Sequence, residues 1–190
     1  MIVTTTSFGQ YELALIAGAN ENESPKIVVV DWLKEGQSWL NSKSFPKLKK
    51  YYKIDDSDFE FIDKNSLSIA DMTQALLLTT IEQINEYING ERKKFDLPLD
   101  LSSGTEFQQR VWKGLQTIPH GETISYATLA QRVNNPKGYR AVANANGKNP
   151  FSLIVPCHRV IASDGKLGGY TGGLDKKEHL LALEGVKCKG

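Results

Sequence analysis

The sequence predicts an α+β protein of two domains, and three observations carry that prediction. The first thirty-odd residues alternate β-rich runs with turn formers, one long apolar-striped helix follows, and the second half breaks into short helices. The charge divides in the same place. The chain has 190 residues and a formal charge of only +1, yet residues 101–190 carry 12 Lys and Arg against 6 Asp and Glu, while the first hundred carry 11 against 16. An acidic half joined to a basic one points the second half towards a polyanion.

The strands come first. Ile2 to Ser7, Tyr11 to Ala19 and Ile27 to Trp32 are rich in β-branched and aromatic residues. Gly9 and Gln10 suit a hairpin, and residues 20–25 form a polar connection. Residues 34–60 mix Trp39, Phe45, Leu48, Tyr51 and Tyr52 with many charges and show no clear period. A helix is predicted over 71–89, where Leu77, Ile81, Ile84 and Ile88 recur at helical spacing and Gly90 provides the stop. Phe95, Leu97 and Leu99 then alternate with Asp96, Pro98 and Asp100, as in a short extended segment whose proline tolerates only an edge. The domain boundary is expected within 97–104, giving domains 1–98 and 99–190.

The second half opens on Thr105, an N-cap with Gln108 three residues on, as in a capping box. Phe107, Val111, Leu115 and Ile118 give that helix its apolar face, and Pro119, His120 and Gly121 end it. A second helix starts near Ser125 with Tyr126, Leu129 and Val133 on one side. After a break at 134–138 a third runs over about 139–148, so two short helices flank a tight turn containing Gly138, a helix-turn-helix pattern. The third helix carries small side chains over most of its surface. A packed neighbouring helix explains such a surface as well as a nucleic acid does; Lys137 and Arg140 at its start favour phosphates.

Chemistry concentrates around Cys157. The apolar run 153–155 leads through Pro156 to Cys157, His158 and Arg159, and a thiol becomes a nucleophile only with a base or positive charge nearby. Adjacent residues on an extended chain face apart, so a Cys157–His158 partnership requires a turn or a bridging water. Alone, the pair reads as one more inert buried thiol. The glycine-rich loop 168–173 around Tyr170 and Thr171, which lets backbone approach a ligand, argues for more. A helix over about 175–184 ends in Glu184, which is either a solvated surface carboxylate or an inward one orienting His158. Two cysteines and His120, His158 and His179 are too few for a disulfide framework or a four-ligand zinc site, so a reduced, metal-free interior is expected, with Cys188 as an exposed tail residue. No apolar run reaches the roughly 20 residues of a membrane span, and residues 1–6 lack a signal-peptide pattern, so the expected location is the cytoplasm.

From Arg140 through Pro-Cys-His-Arg-Val at 156–160 to Gly-Gly-Tyr-Thr-Gly-Gly at 168–173 and Leu-Glu-Gly at 183–185, the chain resembles the O6-alkylguanine-DNA alkyltransferases. The resemblance spans roughly 101–187 and implies direct-reversal DNA repair, with one irreversible transfer of an alkyl group from O6-alkylguanine to Cys157. O4-alkylthymine is a secondary substrate candidate. It implies that His158 deprotonates Cys157 through water, that Glu184 holds the imidazole, and that Asn149 braces the cysteine-bearing turn. Tyr126, Tyr170, the backbone of Thr171 and the carbonyls of Cys157 and Val160 would line the guanine pocket. Arg140 would enter the duplex in place of the flipped nucleotide, with Lys137, Ala141, Ala143, Asn144 and Gly147 along the minor groove of double-stranded DNA. The family commonly has serine where this chain has Thr171. The implied folds are a ribonuclease H-like α/β domain and a mostly helical, winged helix-turn-helix-like domain, acting as a monomer without cofactor or metal. Rival readings are a lesion-sensing or regulatory DNA-binding protein without transfer, which the presence of Cys157 disfavours, and a cysteine hydrolase, which leaves the arginine-led helix unused.

Overall fold

In the computed structural model, described for residues 1–19 and 23–187, the chain divides into two compact units, residues 1–103 and 104–190. Part of the expected 20–25 connection and Cys188 lie outside the described residues. The first unit is built on β1 (Ile2–Phe8), β2 (Tyr11–Gly18) and β3 (Lys26–Leu33), joined antiparallel in sequence order. Gly9 takes φ 59° in the β1–β2 connection, a backbone region that side-chain-bearing residues avoid. The stretch with no clear period folds around aromatic anchors. Helix α1 (Phe45–Tyr52) buries Phe45 and Leu48, and the two-residue β4 (Glu60–Phe61) pairs parallel with β1. Sheet order is therefore β3-β2-β1-β4.

Two apolar layers cover this sheet. On one side Val3, Ile16 and Val29 pack with Phe45, Leu48 and Phe59. On the other lies α2 (Met72–Ile88), whose Tyr87 ring sits 6.4 Å from that of Phe8. Asp71 caps α2 by accepting from the backbone of Thr73 and Gln74. The helix runs where expected, but its buried stripe is rotated. Leu77 and Ile84 are buried together with Thr80, Gln83 and Tyr87, while Ile81 and Ile88 are only half-buried. The polar members earn their places by hydrogen bonding: Gln83 donates to the Asp96 carbonyl at 2.9 Å and accepts from the Asp96 amide at 2.8 Å. This pins the extended segment, in which Leu99 bridges Ile27 in parallel, beside β3. Tyr52 donates to Asp100 at 2.5 Å. These contacts carry residues 99–103 into the first unit, so the division falls after Ser103, inside the 97–104 window.

The second unit is mostly helical: α3 (Glu106–Leu115), α4 (Tyr126–Arg132), α5 (Tyr139–Gly147) and α6 (Leu174–Leu183). Thr105 and Gln108 form a reciprocal capping box at α3. Helix α5 packs against α3 and α4, and the buried Trp112 indole donates to the Ala145 carbonyl at 2.9 Å. A short parallel pair, β5 (Ile124–Ser125) with β6 (Val160–Ile161), ties the start of α4 to the segment just after Cys157. No helix among the described residues is long and apolar enough to cross a membrane.

Gln83→Leu removes both bonds to Asp96 and leaves that backbone pair without partners. It should destabilise the first unit by about 1–3 kcal/mol in urea unfolding and speed amide exchange at Asp96. Unchanged exchange at Asp96 would show that the segment is held by other means.

Candidate active site

The site is assembled within the second unit from a strained turn, a buried ion pair and a glycine-rich loop. Residues 149–155 form the turn that delivers Cys157. Leu153, only 1% exposed, sits at φ 71°, a left-handed conformation that costs a bulky residue about 1–3 kcal/mol. Asn149 holds it there. Its amide donates to the carbonyls of Val155 at 2.9 Å and Phe151 at 3.3 Å, and its oxygen accepts from the Phe151 amide at 3.0 Å. Cys157 to Arg159 then form a single 3-10 turn, which settles how adjacent cysteine and histidine are arranged: the chain is not extended here. The Cys157 thiol is buried, as are His158 and Arg159.

Glu184 points inward. It ends α6 as the C-cap residue with a fully buried side chain, and its carboxylate gathers three partners. His158 Nε2 lies 2.8 Å from Oε1; Arg159 Nε is 3.1 and 3.0 Å from the two oxygens, and Arg159 Nη2 is 3.0 Å from Oε1. The Gly121 amide donates to Oε2 at 3.0 Å. Arg159 also donates to the Ile118 carbonyl at 2.6 Å, so its guanidinium ties the end of α3 to α6. Burial, the foremost cause, holds the His158 pKa below 6.5; the Glu184 hydrogen bond and charge oppose this, and the Arg159 and Lys177 charges reinforce it. The imidazole is therefore neutral near pH 7. Its Nε2–H donates to Glu184, and Nδ1, buried and without a hydrogen-bond partner among the described residues, is left as a proton acceptor.

The loop 168–173 is fixed from below by Lys177. This lysine is fully buried on the α6 face that also holds Leu180 and Leu181. Its ammonium donates to the Val160 carbonyl at 2.7 Å, to that of Leu167, and to that of Gly169 at 3.4 Å. Gly168 takes φ 65° where an added Cβ would meet the Tyr126 ring at 3.6 Å. Tyr126 reaches the Gly169 carbonyl at 3.4 Å, and its hydroxyl pKa is raised first by burial and then by the neighbouring Cys157. Thr171 donates to the carbonyl of Gly147 at 2.9 Å, latching the loop to the end of α5. Tyr170 is half-buried.

Cys157, His158, Glu184, Asn149, Val160 and Tyr126 thus belong to one hydrogen-bonded region, with Tyr170 and Thr171 on the loop that Lys177 supports from Gly169. Lys137, Arg140, Ala141 and Asn144 are exposed on and before α5, with Ala143 and Gly147 half-buried, so they form a separate surface whose Gly147 end meets the loop. The Arg140 guanidinium lies 5.8 Å from the Tyr139 ring centre. Sequence reasoning placed Arg159 beside the thiol but missed its pairing with Glu184, and it missed Lys177. The signal for Lys177 was its helical phase, three and four residues before Leu180 and Leu181. Among the described residues no cluster of His, Cys, Asp and Glu is arranged to hold a metal.

Glu184→Ala strands two buried cationic or donor groups and should destabilise the second unit by about 3–5 kcal/mol in urea. A loss below about 1 kcal/mol would mean that the carboxylate is dispensable. The lowered His158 pKa also sets a sign. Below pH 6.5 the unfolded chain takes up a proton that the folded chain refuses, so stability falls as pH drops from 6.5 through the folded value. His158→Gln should flatten that part of the stability profile; an unchanged slope would contradict a neutral buried imidazole.

Residues 106–186 match the family model described as 6-O-methylguanine DNA methyltransferase, DNA binding domain. A methylated-DNA–protein-cysteine methyltransferase of Mycolicibacterium paratuberculosis is 57% identical over 104 residues, 55% of this chain and 62% of that protein. The chain thus aligns with less than two thirds of that relative's length. The similarly named protein of Methanosarcina acetivorans is 44% identical over 151 residues, 80% of this chain and 86% of its own length. The solved structure of Mycobacterium tuberculosis OGT in complex with DNA superposes with a TM-score of 0.71 at 34% identity, covering 97% of this chain and 92% of the other. The fold agrees with that mixed α and β architecture, and the chain belongs to the methylated-DNA–protein-cysteine methyltransferase family.

Proposed function

We propose that this protein repairs DNA by direct reversal, transferring the alkyl group of O6-alkylguanine in duplex DNA to its own Cys157 once per molecule. The observation that carries the reading is the buried thiol beside a neutral imidazole whose Nε2 is held by Glu184 and whose Nδ1 is open. Nδ1 takes the thiol proton, directly or through water. The thiolate attacks the alkyl carbon, the carbon–O6 bond breaks, and its electron pair stays on guanine, which is then protonated. The resulting thioether has no hydrolytic exit, so the protein is consumed. The base needs no cofactor or metal to leave.

The pocket roles follow. Tyr126, Tyr170, Thr171 and the carbonyls of Cys157 and Val160 line the base site, and donors that stabilise the departing anion speed the step. A base inside a duplex is out of reach, and extruding it costs a few kcal/mol, which an inserted Arg140 partly offsets. Lys137 contacts phosphate, and Ala141, Ala143, Asn144 and Gly147 let the α5 backbone approach the minor groove. Minor-groove reading discriminates sequence weakly, which suits repair in any context. In this reading the first unit is a ribonuclease H-like domain and the second a winged helix-turn-helix-like domain. The protein acts as a cytoplasmic monomer.

Incubation with O6-benzylguanine should add one benzyl group, mapped to Cys157, with no turnover in intact-mass spectra. An unmodified protein or an adduct elsewhere would sink the proposal. Arg140→Ala should slow repair of duplex DNA by at least about tenfold, a change of about 1.4 kcal/mol, and leave the free base's rate nearly unchanged. Equal slowing of both would remove Arg140 from the duplex role.

A further inference from the structure

The first turn of α5 carries an exposed aromatic residue that the proposed transfer does not use. Tyr139, 49% exposed, opens the helix between its N-cap Gly138 and Arg140. A single exposed ring is ordinary on a protein surface. What singles this one out is its neighbour. Among the described residues no salt bridge takes up the Arg140 guanidinium, and its contact is with the Tyr139 ring. The ring centre lies 5.8 Å away, within the roughly 6 Å over which a cation is drawn to an aromatic face.

Helical geometry gives this contact a direction. On α3, Arg110 lies 5.5 Å from the ring centre of Phe107, three residues back, where spacing alone brings side chains together. Tyr139 and Arg140 are adjacent, about 100° apart round the axis, so spacing does not make them face each other. They meet because the arginine leans towards the ring and the helix N-terminus, the way long helical side chains lean. Tyr139 also begins the i, i+4 row that continues through Ala143 to Gly147. Thr171 donates to the Gly147 carbonyl at 2.9 Å, so the row on this flank of Arg140 ends at the pocket loop.

We infer that Tyr139 is a positioning residue for duplex repair, holding the Arg140 guanidinium on its ring so that the arginine meets the duplex already oriented for insertion. This rests on the alkyl-transfer reading and on the duplex role given there to Arg140. A free arginine side chain samples many rotamers and must surrender them on insertion, whereas one held beforehand surrenders fewer. The attraction between cation and ring strengthens as water is excluded, so it grows as this surface closes on the minor groove. The ring performs this task, and the hydroxyl is dispensable to it.

The test is a double-mutant cycle on the full chain, read in single-turnover reactions with an O6-methylguanine duplex and with free O6-benzylguanine. Tyr139→Leu, which removes the ring, should slow duplex repair by about fivefold and leave the free base's rate within about twofold. Tyr139→Phe, which keeps the ring, should restore duplex repair to within about twofold of the wild type. In an Arg140→Ala background, Tyr139→Leu should cost less than about twofold, because the group it positions is gone. Equal losses with and without Arg140, or no loss at all, would overturn the positioning role. So would Tyr139→Phe as slow as Tyr139→Leu, which would move the role to the hydroxyl, or equal slowing of duplex and free base, which would mark a structural defect. Arg140→Ala that leaves duplex repair unchanged would remove the duplex role and its positioning together, with alkyl transfer standing. A wild-type chain that takes no benzyl group would overturn the alkyl-transfer reading itself.

Discussion

The arrangement depends on one buried carboxylate. Glu184 accepts from His158, from Arg159 and from the Gly121 amide, and so joins the end of α6, the turn after Cys157 and the connection after α3 at a single point. Burying a charge is costly unless it is paired and its lone pairs are filled, and here both conditions are met. Arg159 balances the charge of Glu184. That frees His158 from being the counter-ion, so burial can hold its imidazole neutral while Glu184 still fixes which nitrogen carries the proton. A histidine that paired alone with Glu184 would be drawn towards the protonated state and lose the open Nδ1 that the proposed chemistry requires.

Two further devices transmit this order to the thiol and the loop. Asn149 holds a turn that Leu153 would not adopt on its own, and the strain is confined beside the reacting group, where a fixed position matters most. Lys177 acts on the opposite side. By donating to carbonyls from Val160, Leu167 and Gly169, it turns a glycine-rich segment with little intrinsic preference into a supported wall. The price is a second buried cation, and it reinforces the same outcome at His158 by disfavouring a further positive charge.

Much of this was legible in the sequence where a local rule sufficed. The three β-rich runs, the Asp71-capped helix and the Thr105–Gln108 box are set by propensity and capping, which act over a few residues. The segment 34–60 was not legible, because α1 and β4 owe their form to Phe45, Leu48 and Phe59 packing on the sheet and not to any period of their own. In α2 the apolar period placed the helix correctly but not its rotation, since Gln83 is buried to serve the Asp96 backbone, a partner 13 residues away. At the site, the inward turn of Glu184 was one of two open readings. Only its long-range partners, 25 and 26 residues back along the chain, decide between them. The burial of Arg159 and Lys177 escaped because charged residues are ordinarily solvated; the helical phase of Lys177 hints at an inward face, but nothing local signals the acceptors that wait there in the fold.

The central claim is that His158 is neutral, protonated on Nε2 and open on Nδ1. Nitrogen-15 NMR of the imidazole at pH 7 reads this directly. Nε2 should show a bonded proton held in a hydrogen bond to the Glu184 carboxylate, with Nδ1 bare. A proton on Nδ1, or on both nitrogens, would contradict the account.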